Sequence, residues 1–289
     1  MSKKTIVSAS IAILIMAAGC QVPTGTIVFS RLTGDYWQIW TMQPDGKATK
    51  QITTSPSDKR YPIWAEDGKK ILFRTNNNKA FIVDVDSREE KKILESFGLI
   101  GSLSESPDGS RVVFVRYKDN FKDSSNLWIS TPGAKMQKVL TRDTGLQYDP
   151  AWSHDGRKIA YVSGHGFQTH ELYMVNPDGK NKCKITDNKA LEVLPAFSPD
   201  GNSIAYVSDI TDDFEIWLMD IDGSNTRQIT NSSGIDTRPF WSPDGDKIVF
   251  VSNRSGQLQL WIMNKDGSSA RQLTSGAPSM DPAWKKESF

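Results

Sequence analysis

A four-residue turn recurs along this chain at a nearly fixed interval, as Ser106-Pro107-Asp108-Gly109, Ser153-His154-Asp155-Gly156, Ser198-Pro199-Asp200-Gly201 and Ser242-Pro243-Asp244-Gly245. Glu66-Asp67-Gly68 is a degenerate copy. The glycines at 68, 109, 156, 201 and 245 stand 41 to 47 residues apart, which is the period of one blade of a β-propeller. Proline presets φ at the second turn position, the short polar residue suits the third, and glycine accepts a positive φ at the exit.

Each turn leads into a short β-branched and aromatic run, as in Lys247-Ile248-Val249-Phe250-Val251 or Lys158-Ile159-Ala160-Tyr161-Val162. These read as strands. A loop of variable length follows, then a second run such as Leu260-Trp261-Ile262-Met263 or Ile216-Trp217-Leu218-Met219. Consecutive apolar side chains there imply a strand covered on both faces. Asp-Gly turns at Asp45-Gly46, Asp178-Gly179, Asp222-Gly223 and Asp266-Gly267 then lead into an outer strand, for example Arg227-Gln228-Ile229-Thr230. The aromatic position of the third strand repeats at Trp40, Phe81, Trp128, Tyr173, Trp217 and Trp261. The expectation is an all-β, six-bladed β-propeller of four-stranded antiparallel blades.

The two ends of the chain predict how the ring closes. The innermost strand carries a Pro-x-aromatic pattern at Pro62, Pro150, Pro195 and Pro239, and the pattern returns in Asp281-Pro282-Ala283-Trp284, with five residues after it. The first strand, Thr26-Ile27-Val28-Phe29-Ser30, matches a second strand instead. The C-terminal strand is therefore expected to join the N-terminal blade, removing the free sheet edges of an open array.

These turns and strands resemble the TolB-like propeller family, built from WD40-like (PD40) repeats, over residues 26 to 284. The resemblance implies an envelope protein that binds other proteins, as the propeller of that family binds the peptidoglycan-associated lipoprotein. The family's name-giving members carry an additional α/β domain before the propeller. Here only a few residues separate the N-terminal apolar segment from the first strand, so a propeller without that domain is expected.

Lys3 and Lys4, an apolar run from Ile6 to Ala18 and the small residues before Cys20 follow the order of a secretory signal. The run is too short to span a bilayer comfortably. Ala17-Ala18-Gly19-Cys20 resembles a lipoprotein lipobox, with Ala17 in place of the usual leucine. Residues 1–19 are accordingly read as a signal peptide, 20–25 as a tether lipidated on Cys20, and 26–289 as the propeller. The tether reaches about 18 Å at most. This predicts a periplasmic protein anchored in a membrane, the outer one if the cell is Gram-negative, since Gln21 resembles the outer-membrane sorting signal. With Cys20 acylated, Cys183 stands alone and is expected to be a small buried apolar residue without a role.

Composition narrows the partners. The chain holds 35 basic and 34 acidic residues, and no Lys/Arg-rich run suggests a phosphate-binding stripe. No nucleic-acid partner is expected on this ground. One domain, acting as a monomeric propeller, is expected.

Catalytic patterns are sparse. There is no Gly-x-Ser-x-Gly elbow, HExxH, CxxC or Walker sequence. The three histidines stand at 154, 165 and 170. His154 takes the proline position of a tight turn, which leaves His165 and His170, with Glu171 beside them, as the pair able to converge on a metal or sense pH. Such a pair in an exposed loop is more simply a solvated segment. Asp220-Ile221-Asp222-Gly223 lacks the further oxygen ligands of a calcium loop and reads as turn chemistry. No catalytic residue, metal site or cofactor is assigned.

Function is therefore sought where the repeats differ. Strand order puts the short Asp-Gly turns on one face, and on the other the irregular loops between second and third strands together with the blade connectors. Loops on a rigid scaffold are where binding residues concentrate. Arg60, Tyr61, Asp149, Glu192, Asp236, Arg238 and Asp281 end the connectors and are read as a mixed, mainly acidic rim of the channel mouth. With His165 and His170 they form the candidate partner-binding or ligand-binding set. Two functions are carried forward. The first is a non-enzymatic binding or scaffold module engaging an envelope protein through the long-loop face. The alternative is a carbohydrate-active enzyme resembling oligogalacturonate lyase, with a metal site.

Overall fold

The computed structural model describes residues 25–94, 99–117, 124–131, 136–165 and 170–285. Residues 1–24, with the expected signal segment, Cys20 and most of the tether, lie outside them. So do 118–123 and 166–169 of the long-loop face.

The described chain folds into six four-stranded antiparallel sheets, each ordered by sequence except the first, where the last strand, Ser279–Trp284, precedes Ile27–Thr33, Tyr36–Met42 and Lys50–Gln51. The expected propeller and its expected closure are both observed. Ile27 pairs with Trp284 and Arg31 with Ser279, so the chain ends are zipped side by side in blade 1. Lys285 N donates to Thr26 O at 2.8 Å and adds one more bond at the seam.

The recurring turn works by a serine hydroxyl. Ser106, Ser153, Ser198 and Ser242 each donate to the turn aspartate at 2.5–2.6 Å. The same oxygen accepts the amide of the residue five further on at 2.9 Å. The glycines take φ of 65–74°, open to them because they lack Cβ. Asp108 also accepts from Ser110, and these bonds, led by that from Ser106, hold its carboxyl down at about 2. Asp222 of the expected turn likewise accepts the Ser224 amide and hydroxyl at 2.9 and 2.6 Å.

A second device closes the outer edge. The outer strand has two ladder residues in four blades, and a threonine just beyond it ties it to the third strand. Thr53, Thr141, Thr186, Thr230 and Thr274 each accept a third-strand amide at 2.8–2.9 Å. Cys183 stands in one of these short strands and is exposed, which corrects the expectation of burial: an edge strand has no neighbouring blade to cover it.

Six apolar clusters lie between adjacent blades, one per junction. Val113, Leu127, Trp152 and Tyr161 fill that between blades 3 and 4, and Ile27, Phe29, Val249, Leu260 and Trp284 that between blades 6 and 1. All six third-strand aromatics pack against these clusters.

Removing residues 278–289 is expected to open the ring and abolish a single cooperative melt, and Trp284→Ala to destabilise by about 3–5 kcal/mol, as for other buried tryptophans. Urea unfolding followed by tryptophan fluorescence checks both. An unchanged transition in the truncated protein contradicts this account of closure.

Candidate functional site

The innermost strands, Ser279–Trp284, Lys59–Trp64, Ile100–Glu105, Leu146–Trp152, Glu192–Phe197 and Asp236–Trp241, surround the central channel. Every one carries a bulge near its third or fourth residue: the register shifts between Arg60 and Ile63, between Tyr148 and Ala151, and at the matching places elsewhere. This is why the pattern tolerates proline, which cannot donate to a ladder and fits a bulge. Before the proline the backbone turns left-handed: Tyr61, Asp149, Leu194, Arg238 and Asp281 have φ of 48–56°. Non-glycine residues there store about 1–3 kcal/mol of strain each. Together with Ser102 these five residues form a layer across the channel.

Charge in that layer is knitted across blades. Arg60 Nε donates to Asp281 Oδ2 at 2.6 Å, and Arg238 Nε lies 3.1 Å from Asp281 Oδ1. Burial opposes ionisation of Asp281, but Arg238 and Arg60 outweigh it and hold the carboxyl below its ordinary range. The ring of Tyr61 meets three guanidinium groups, those of Arg74, Arg238 and Arg60, at 4.4, 4.7 and 5.3 Å from its centroid. Asp149 receives less help: burial pushes its carboxyl up, against the pull of Arg238, Ser102 and Arg74.

Below this layer lies a cavity of about 240 Å³, lined by Trp64, Trp152, Phe197, Trp241 and Trp284 and reaching His154 and Pro243 in the short turns. It is smaller than the ~300–1,000 Å³ of ordinary small-molecule sites. A single large side chain or a small solute fits it.

Arg60, Tyr61, Asp149, Arg238 and Asp281 are thus brought together, while Glu192 and Asp236 are not. These two lie one position earlier than the bulge region, at the starts of their strands, where the side chain enters a blade junction. Asp236 is fully buried and ion-paired with Arg254. Glu192 accepts from Asn188 Nδ2 at 2.6 Å and Ser208 Oγ at 3.1 Å, and its second oxygen, buried, meets no donor. With those acids withdrawn and Arg74 added, the channel layer is rich in guanidinium instead of mainly acidic. The histidines separate as well. His165 bonds Thr144 Oγ1 at 3.0 Å, and buried His170 bonds the Tyr148 hydroxyl through Nδ1. Glu171 is occupied by Thr186 and Asn188. Among the described residues no three His, Cys, Asp or Glu side chains gather as a metal-binding group.

The repeat pattern does not flag two groups of the channel layer, Ser102 and Arg74, or one junction cation, Lys59. Ser102 shares the register of Asp149 but lacks the proline that flags it. Lys59, at the strand position of Glu192 and Asp236, is fully buried, its ammonium bonded to Ser55 O and Ser57 O at 2.7 and 3.0 Å. Arg74 stands where the sister blades have Val162, Val207 and Val251, a departure from the repeat that was legible.

A family model for the TolB beta propeller domain matches residues 75–213 and 110–288. The Tol-Pal system protein TolB of Anaeromyxobacter dehalogenans is 28% identical over 119 residues, 40% of this chain and 26% of that protein. The match therefore spans about a quarter of that relative's length. The crystal structure of TolB from Acinetobacter baumannii superposes with a TM-score of 0.77 at 19% identity, covering 91% of this chain and 67% of that one. Oligogalacturonate lyase from Vibrio parahaemolyticus shares the fold at a TM-score of 0.60 and 15% identity, over 85% of this chain and 73% of that one.

Two outcomes follow from the electrostatics. Asp281→Asn, which leaves two arginines without their shared partner, is expected to destabilise by about 3–5 kcal/mol. Burial, with Glu171 and Asp209 nearby and against the Asn188 and Ser208 bonds, raises the Glu192 carboxyl to about 7. A folded value above the ordinary one means stability present in acid and lost as pH rises from ~4.5 to ~7, by on the order of 3 kcal/mol. Glu192→Gln should abolish that loss and be the more stable protein at pH 8; urea titrations from pH 4 to 8 read both variants.

Proposed function

The chain belongs to the TolB β-propeller family, and from that premise we propose that it is a non-enzymatic protein-binding or scaffold module of the bacterial cell envelope. The partner is an envelope protein, engaged through the long-loop face and the mouth of the channel. The family match carries this reading, since a relative over part of its length is a Tol-Pal system protein. Physical features support it. The closed ring is a rigid platform, and two of its exposed large apolar side chains, Tyr36 and Ile210, stand on the long-loop face. Arg60, Tyr61, Asp149, Arg238 and Asp281 offer an anisotropic, charged channel layer for a partner's side chain, whereas His165 contributes surface and buried His170 supports Tyr148.

Within this reading residues 1–19 direct export and Cys20 carries a lipid, so that a monomeric propeller sits in the periplasm within ~18 Å of its membrane. The order of Lys3, Lys4, the apolar run and Ala18-Gly19-Cys20 supports this.

The alternative, a carbohydrate-active enzyme, rests on the fold shared with oligogalacturonate lyase. Likeness of fold is weak support for an activity. Uronate-oligosaccharide cleavage followed by absorbance of the unsaturated product, with and without added manganese, tests it directly.

For the leading reading, a photocrosslinking amino acid is placed in cells at Tyr36, Asp213 or Gln257 on the long-loop face, and at Lys180 or Asn225 on the short-turn face. One envelope protein captured from the first set and not the second is the expected result. Capture from the short-turn positions alone contradicts the assignment of the face. Cys20→Ser, fractionated alongside, is expected to move the protein from membrane to soluble fraction.

A further inference from the structure

Blades 5 and 6 share loop length, strand register and backbone hydrogen bonds on the long-loop face, which makes one difference between them informative. In each, six residues join the second strand to the third: 209–214 in blade 5 and 253–258 in blade 6. Ile210 N and Arg254 N both donate to the preceding serine, Ser208 or Ser252, at 3.2 Å. Asp209 and Asn253 both accept a connector amide, Leu191 N at 2.7 Å and Ile235 N at 2.8 Å. The left-handed residue of the loop is Asp212 in one and Gly256 in the other. Glu192 and Asp236 then occupy one position, facing Ser208 and Ser252 across their strands.

The two junctions differ in the cation. In blade 6 the Arg254 guanidinium pairs with Asp236, donates to Ser252 Oγ at 3.0 Å, and lies 4.9 Å over the ring of Trp261. In blade 5 the matching residue is Ile210, which is 52% exposed, and the matching aromatic is Trp217. Glu192, 1% exposed, keeps one carboxylate oxygen without a donor, as Asp236 does at Oδ1, but it has no arginine against the carboxylate. As Glu215 faces Asp236, an acid faces Glu192 from the preceding blade, here with no arginine to offset it. Glu171 faces it from blade 4, Asp209 from its own loop, and Asp212 and Asp213 extend the acidic stretch into solvent. Lys184 pairs with Glu171 at 3.4 Å and with Asp187, and the His170 ring is held by Tyr148. Asn188 bridges the two glutamates but supplies no charge.

We propose that this junction receives one cationic side chain of a partner, an arginine or lysine, seated on Glu192 in the place that Arg254 fills against Asp236. The inference rests on the reading that a partner engages the long-loop face, and it names the chemistry of the contact there. The guanidinium enters past Ile210, completes the Glu192 carboxylate, and lies against Trp217. Arginine is the better occupant, because its planar fork both stacks and binds a carboxylate. Burying a carboxylate without a partner is costly, so a cation bound there removes a standing penalty.

The test uses ethylguanidinium chloride as the probe, with the Trp217 indole resonance observed by NMR at pH 8 and equimolar sodium chloride as control. A saturable shift is expected in the wild type, weakened at least tenfold in Glu192→Gln and absent in Ile210→Arg, whose own side chain fills the place. Ile210→Arg should also remove the rise of the Glu192 carboxyl, read by carboxyl ¹³C titration. An equal response in Glu192→Gln, or none in the wild type, overturns the proposal. So does calcium producing the same shift, which would mark a metal site instead. In cells, partner crosslinking from Tyr36 or Gln257 should be lost with Ile210→Arg and kept with Ile210→Ala. Crosslinking kept in both overturns this site while leaving the binding face standing; crosslinking absent from the unaltered protein sinks the functional reading itself.

Discussion

No blade of this protein can bury its own third strand. Leu260, Ile262, Ile216 and Leu218 present apolar surface on one side of the sheet while Met263, Met219 and the aromatic row present it on the other, so each blade needs a neighbour on both faces. Six junctions satisfy this only if the ring is closed, which makes the pairing of Ile27 with Trp284 the contact on which the others depend. Closure also brings the six innermost strands around one axis, and their bulges then turn a layer of side chains across the channel.

The repeat explains how much of this could be read without coordinates. Ser-Pro-Asp-Gly, the β-branched runs and the returning Pro-x-aromatic pattern specify local geometry at short range, and each was interpretable from turn and strand chemistry alone. Blade number, strand order and the completion of blade 1 by Asp281-Pro282-Ala283-Trp284 followed. What failed to follow were the consequences of a two-residue step along a bulged strand. Asp149, Arg238 and Asp281 enter the channel, while Glu192 and Asp236, two residues nearer their connectors, enter blade junctions. A list of connector-end charges cannot separate the two groups, because the direction of a side chain there is set by a left-handed residue invisible in composition. Cys183 is exposed for a related reason: strand pattern implies burial only where a neighbouring blade covers the strand.

Departures from the repeat proved more informative than its agreements. Arg74 replaces the valine of the sister blades and brings a third guanidinium to Tyr61. Ile210 replaces the arginine of blade 6 and leaves a buried carboxylate without its cation. The histidines, by contrast, drew notice for their residue type and are dispersed onto Thr144 and Tyr148. In a molecule built from copies, an internal comparison supplies the control that a single site lacks.

The outer rim carries one more implication, for molecules packed side by side on a surface. Four blades end in strands of two ladder residues, too short to template a neighbour's sheet. Blade 2 ends in the longest, Glu90–Ile93, and three of its four residues are Glu90, Lys91 and Lys92. Charge guards this longest edge. A crowded layer of these rings therefore has little backbone with which to extend one another's sheets, and neighbours can lie rim to rim without fusing into a fibre.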